Sequence, residues 1–115
     1  MNTILVMLGG AVGAAARYQI GSLAPRAAFP WSTLVVNIAG ALLMGLLIAR
    51  APAEPLRLLL GVGVLGGFTT FSAFGLETVE LLQRGATLPA LSYVAASVLG
   101  ACVAVWLGLA IGRTA

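Results

Sequence analysis

Residues 61–77 read Gly-Val-Gly-Val-Leu-Gly-Gly-Phe-Thr-Thr-Phe-Ser-Ala-Phe-Gly-Leu-Glu. They lie within an apolar run from Leu56 to Leu82, longer than the ~20 residues a helix needs to cross bilayer hydrocarbon. Yet the run holds Gly61, Gly63, Gly66 and Gly67, and each glycine weakens a helix by about 1 kcal/mol relative to alanine. Thr69 and Thr70 follow, with hydroxyls that compete for local backbone partners. Two outcomes are open. Either the helix runs through and its glycines only pack, or it breaks at mid-membrane and frees carbonyl oxygens there. Irregular backbone at that depth is tolerated only when it is buried in protein, lines water or binds an ion. Freed carbonyls are hard ligands of the kind sodium takes.

Three further apolar runs surround this one, Thr3–Leu23, Trp31–Ala49 and Leu88–Ile111, so the chain reads as one four-helix transmembrane domain spanning residues 1–115. All five prolines fall in or beside the short connections, where a missing amide donor costs least. Pro89 sits in the first turn of the last helix, with Thr87 placed to cap it. The first run lacks a basic leader and is interrupted by Arg17, which argues against a signal peptide.

Composition agrees. Of 115 residues, 61% are hydrophobic and 8% charged, against roughly 45–50% and about 25% in soluble domains. A soluble fold of this size buries only about two thirds of the surface its unfolded chain exposes. That excludes an ordinary soluble domain, a disordered chain and a nucleic-acid binder. The net charge of +3 comes from six Arg against three Glu, with no His, so it marks few charges rather than a basic face. One Cys and no His or Asp leave no support for zinc ligation, a Ser-His-Asp triad or a disulfide scaffold. An intramembrane enzyme would need a nucleophile with a base or a metal set, and none is present.

The arginines do not set an orientation. Arg50, Arg57 and Arg113 fall on one side of the membrane, and Arg17, Arg26 and Arg84 on the other. Either one arginine dominates, or both orientations insert and the chain is a candidate for an antiparallel dimer. No internal repeat can be aligned, so inverted symmetry of the kind transporters build from repeats would have to come from a dimer.

The polar residues inside the spans are the candidates for function. In the first, Gly9, Gly13 and Arg17 recur every four residues; the glycines allow close helix approach. Arg17 either snorkels to the interface or draws an anion into a vestibule. In the second, Thr33 and Asn37 are one turn apart, and Ala41 and Gly45 continue their face. An asparagine in hydrocarbon must hydrogen-bond, whether as inter-helix glue or as a ligand. Phe71 and Phe74 share a face if helix resumes after the break, with Ser72 between them; aromatic edges are electropositive and can face an anion. Glu77 stands near the helix end as a vestibule or structural residue, and Glu80 faces solvent or headgroups. Tyr93 and Ser97, with Ala101 next, form a hydroxyl stripe that either packs helices or solvates an anion. Trp31 and Trp106 read as interface belt residues, and Cys102 as a small packing residue.

The string from Gly66 to Phe74, with Glu77, resembles the signature of the Fluc/CrcB fluoride channels. Gly9 to Tyr18 resembles that family's first-helix motif, and Thr33 with Asn37-Ile38-Ala39-Gly40 its second. The resemblance implies a passive, selective fluoride channel in the bacterial inner membrane that confers fluoride resistance. It implies an antiparallel, dual-topology homodimer with two separate pores. It also implies a central sodium ion held by main-chain carbonyls, here those of Gly66 and Thr69 in both subunits. By the same resemblance Asn37, Phe71 and Phe74 are pore residues. Thr33, Ser72, Tyr93 and Ser97 lie along or beside the path, and Arg17 and Glu77 belong to the vestibule and its surroundings. Two departures stand out: Ala101 and Val105 interrupt the polar stripe of the last helix, and Ala73 replaces a common threonine.

Two other functions fit a chain of this kind. A small multidrug-resistance exporter has similar length and four helices but needs an acid in its first helix, where this chain has only Arg17. A structural or assembly subunit would tolerate changes at Asn37, Phe71 and Phe74 without altering ion flux.

Overall fold

The computed structural model describes residues 1–114, and its regular structure is entirely helical. Helix α1 spans Asn2–Leu23 and α2 spans Trp31–Ala49. The third span starts at Glu54 and is helical through residues 54–68, here α3; it resumes as α4, Ser72–Gln83. Helix α5 covers Thr87–Thr114. Taken as spans, four are long and apolar enough to cross a membrane, with Glu54–Gln83 forming the third.

The helices associate in two pairs, α1 against α3 and α2 against α5, while α1 and α2 touch little. Both pairs depend on glycine. A Cβ at Gly13 would overlap the Val64 carbonyl oxygen, one at Gly9 the Leu59 carbonyl, and one at Gly67 would press on the backbone of Gly10. In the second pair, Gly45 and Gly108 face each other with no room for a side chain on either. Lipid tails are as apolar as leucine, so close backbone approach and van der Waals contact, not the hydrophobic effect, hold such pairs together.

Where α1 presses closest, α3 widens. Residues Arg57–Leu65 wind as a π-helix, and the Gly66 N–H reaches the Gly61 carbonyl five residues back. Such winding usually appears as single turns, often at functional sites. Nothing in the apolar, glycine-rich run itself marks this winding.

The whole is a slab of 47 × 30 × 21 Å, two helices thick at ~10 Å each. So thin a body has a small core: Leu34, Phe74, Leu81, Ala90 and Tyr93 cluster at one end of the slab, under Phe29. Large apolar side chains from every span stand exposed, as a lipid-facing surface requires.

The turns show local chemistry. Gly85, at φ +78°, closes α4 with a Schellman arrangement in which the Ala86 N–H donates to the Leu81 carbonyl at 2.9 Å. At the end of α2 a left-handed residue is also needed, but it is Ala51, at φ +46°. Thr87 does not cap the last helix. It is the first helical residue, and Ala86 takes the cap position, its carbonyl accepting from the Ala90 N–H at 3.0 Å. Trp106 lies two turns inside α5, and Cys102 is exposed rather than packed in a core.

Candidate functional site

Between α3 and α4 the backbone leaves helical geometry. Thr69 is extended, at φ −85° and ψ 158°, and helix resumes at Ser72. The side chains near this point replace the bonds a continuous helix would have made. The Asn37 amide, on α2, brackets Thr70: its Oδ1 accepts from the Thr70 N–H at 2.8 Å, and its Nδ2 donates to the Thr70 carbonyl at 2.9 Å. In an unbroken helix those two groups would have paired with the Gly66 carbonyl and the Phe74 N–H. The Thr70 hydroxyl accepts from the Ala73 N–H at 3.1 Å and so caps α4. That N–H would otherwise have gone to the Thr69 carbonyl. Two main-chain oxygens, of Gly66 and Thr69, therefore lose their helical donors. The Thr69 hydroxyl turns back to the Leu65 carbonyl at 3.0 Å.

Arg17 also reaches this segment. Its half-buried side chain donates from Nε to the Gly67 carbonyl at 3.3 Å, tying α1 to the end of α3. That main-chain contact is neither of the two roles open to Arg17 from its position in the sequence.

One turn beyond Phe74, the Glu77 carboxylate is held between three spans. Thr33 Oγ1 on α2 donates to its Oε2, and the Tyr93 hydroxyl on α5 donates to its Oε1, both at 2.9 Å. Tyr93 is fully buried. Its ring lies 5.1 Å from that of Phe74 and 5.4 Å, edge-on, from that of Phe29. Phe71 packs its ring 5.5 Å from Phe74 yet is 83% exposed, so its outer face is open to whatever adjoins this surface.

Two cavities flank this cluster. One, of about 410 Å³, is bordered by Asn37, Thr70, Phe71, Phe74, Ser97 and Cys102. The other, of about 400 Å³, is bordered by Glu77, Glu80 and Arg84 and by Ala28 and Pro30 of the first connection. Arg84 donates to the Ala28 carbonyl at 3.0 Å and so holds the first and third connections together at that mouth. Phe74 borders the first cavity and Glu77 the second, so α4 presents one to each.

The structure thus gathers Asn37, Phe71, Phe74 and Ser97 about one cavity, and Thr33, Glu77 and Tyr93 into one hydrogen-bonded cluster. Ser72 stands beside Thr70, their hydroxyls 3.3 Å apart. Arg17 lies elsewhere, behind the interruption. Ser97 is buried, and its hydroxyl has no hydrogen-bond partner among the described residues. Thr70, expected only as a local competitor for backbone partners, is also the residue whose main chain Asn37 holds. The only local signal for its hydroxyl contact is the general preference for Thr at helix N-termini, since Ala73 rather than Glu or Gln follows at the capping-box position. Among the described residues no group of three or more His, Cys, Asp or Glu could hold a metal ion.

A family model described as CrcB-like protein, Camphor Resistance (CrcB), matches residues 4–109. The chain is 51% identical over 120 residues to a protein of Novosphingobium aromaticivorans named fluoride-specific ion channel FluC, covering 96% of this chain and 95% of the relative. Proteins of the same name from Chelativorans and Mesorhizobium japonicum are 50% and 45% identical, each with 98% of this chain and 97% of the relative covered.

Proposed function

The chain belongs to the CrcB-like family, and from that premise we propose that it is a passive fluoride channel, acting in a bacterial inner membrane to let fluoride leave the cytoplasm. The observation that carries this is the identity of about half over nearly the whole length to relatives named fluoride-specific channels.

The cavity chemistry supports it. Fluoride is small and strongly hydrated, so it enters a pore only where several donors replace water at once. The cavity beside the interruption offers the second Nδ2 hydrogen of Asn37, the partnerless hydroxyl of Ser97 and the ring edges of Phe71 and Phe74. All are neutral. A fixed cation in that position would hold the ion too tightly to conduct. The N-terminal end of α4, with its positive dipole end, lies beside the same cavity. Both Glu77 oxygens are engaged by hydroxyls, which tempers the repulsion of a passing anion. No pump is needed. An inside-negative potential favours anion exit by about 2.3 kcal/mol per charge for each 100 mV.

The assembly belongs to the same proposal: an antiparallel, dual-topology homodimer with two pores and a sodium ion at its centre. Balanced arginines, exposed Phe71 and the exposed Gly66 on the surface of one chain favour a second copy there. The Gly66 and Thr69 carbonyls fit sodium: they are hard oxygens without their helical donors, on a segment that glycine lets another chain approach. When bound, sodium would supply a fixed charge that draws the two subunits' main chains together.

The test is direct. The purified chain is reconstituted in liposomes loaded with potassium fluoride, and efflux is followed with a fluoride electrode after valinomycin is added, with chloride in parallel. Rapid fluoride loss with little chloride loss is the expected result. No fluoride efflux from a verified dimer would overturn the proposal and favour a structural subunit.

A further inference from the structure

Asn37 is bonded in a way that a simple pore ligand would not need. Both of its bonds run to one residue, Thr70, and together they reproduce what a helix would have given that residue. The bracket also fixes which way the amide faces, because only Oδ1 can accept from an N–H and only Nδ2 can donate to a carbonyl. Two consequences follow on opposite sides of the interruption. By accepting the Thr70 N–H, Oδ1 takes the donor that would return to the Gly66 carbonyl if α3 continued, so that carbonyl stays available. By donating one hydrogen to Thr70, Nδ2 is fixed in place with a second hydrogen unused, on a residue that borders the cavity.

We propose that Asn37 is a positioning residue that couples cation binding at the Gly66 carbonyl to the anion path, its oxygen serving the first and its nitrogen the second. The inference rests on the sodium reading above and goes beyond it by naming the side chain that keeps the carbonyl free. With Oδ1 removed, the Thr70 N–H has no side-chain acceptor, and the nearest main-chain one, four residues back, is the Gly66 oxygen that sodium would use. A continuous helical turn across residues 66–70 would then compete directly with the cation.

The two halves of the amide can be separated. Asn37→Asp keeps an oxygen for the Thr70 N–H but supplies no N–H to the cavity; Asn37→Ala removes both. Each purified protein is melted in detergent with sodium chloride and with N-methylglucamine chloride, and fluoride flux is measured in liposomes. The wild type should melt higher in sodium. Asn37→Asp should keep that sodium-dependent rise while its flux falls about tenfold or more, the equivalent of losing a hydrogen bond to a charged group. Asn37→Ala should lose both. Phe71→Ile, at the same cavity but outside the bracket, should keep the rise. If Asn37→Ala keeps the full sodium response, or Asn37→Asp loses it while folded, the coupling is overturned. If Asn37→Ala does not fold, the comparison of Asn37→Asp with wild type decides alone. A wild type that melts identically in both salts would overturn the sodium reading itself, and this inference with it.

Discussion

Glu77 spans three helices with one carboxylate, and its two hydroxyl partners are worth separating. Tyr93 is fully buried, so removing its acceptor leaves a hydroxyl desolvated and unpaired. Glu77→Ala should therefore lower stability by about 1–3 kcal/mol, whereas Tyr93→Phe, which removes the donor and keeps the ring packed on Phe74, should cost about 1 kcal/mol. Thermal unfolding in detergent reads both, and equal losses would show that leaving the Tyr93 hydroxyl unpaired carries no penalty beyond the lost hydrogen bond. Much at this level was legible in the sequence and much was not. That Asn37 must hydrogen-bond in hydrocarbon follows from its chemistry; that its partner is the backbone of Thr70 depends on how α2 and the third span are registered, which no local pattern encodes. Glu77 could be placed near a helix end by counting, but the hydroxyls it accepts come from residues 44 and 16 positions away. Arg17 drew notice as a costly charge, yet its Gly67 contact needs the same tertiary register.

Several helical glycines sit where a neighbouring helix leaves no room for a side chain. Gly13→Ala would drive a methyl group into the Val64 carbonyl and the Phe68 N–H, and α1 would have to move away from α3. The expected cost is about 1–3 kcal/mol, as for other overpacked sites, with loss of flux as the neighbouring interruption shifts. Ala51 presents the converse. It holds a left-handed conformation in which a Cβ costs roughly 1–2 kcal/mol, so Ala51→Gly should raise the melting temperature while leaving flux unchanged. A lower melting temperature would mean that helix α2 ends differently in the membrane. The apolar runs were legible because length and hydropathy suffice to mark a span. The π-helical winding at Arg57–Leu65 was not, because the change from i+4 to i+5 bonding leaves no mark on an apolar run and arises where α1 lies against it.

At the level of the molecule, the even split of arginines makes orientation easy to tip. Adding one arginine to the connection after α2, as in Ala53→Arg, should gather that side and the C-terminus in the cytoplasm. If both orientations insert, as proposed, a C-terminal reporter should then change from two-sided to one-sided labelling. On the proposed dual topology, flux should fall at the same time, because copies in only one orientation cannot form the antiparallel pair. Retained flux from a one-sided population would count against that assembly.

The interleaving of the helix pairs also governs how the chain is made. Synthesis delivers α1 and α2 to the bilayer first, yet neither has its partner: α1 waits for α3, and α2 waits for α5, which emerges last. Once α3 follows, α1 can mate, but α2 stays unmated in lipid until the end of translation, so the nascent protein presents an unpaired span to quality-control proteolysis for most of its synthesis. Cutting the gene in the connection after α2 divides both pairs between the products. Residues 1–51 or 52–115 alone should be degraded, and the two expressed together should accumulate and restore fluoride efflux.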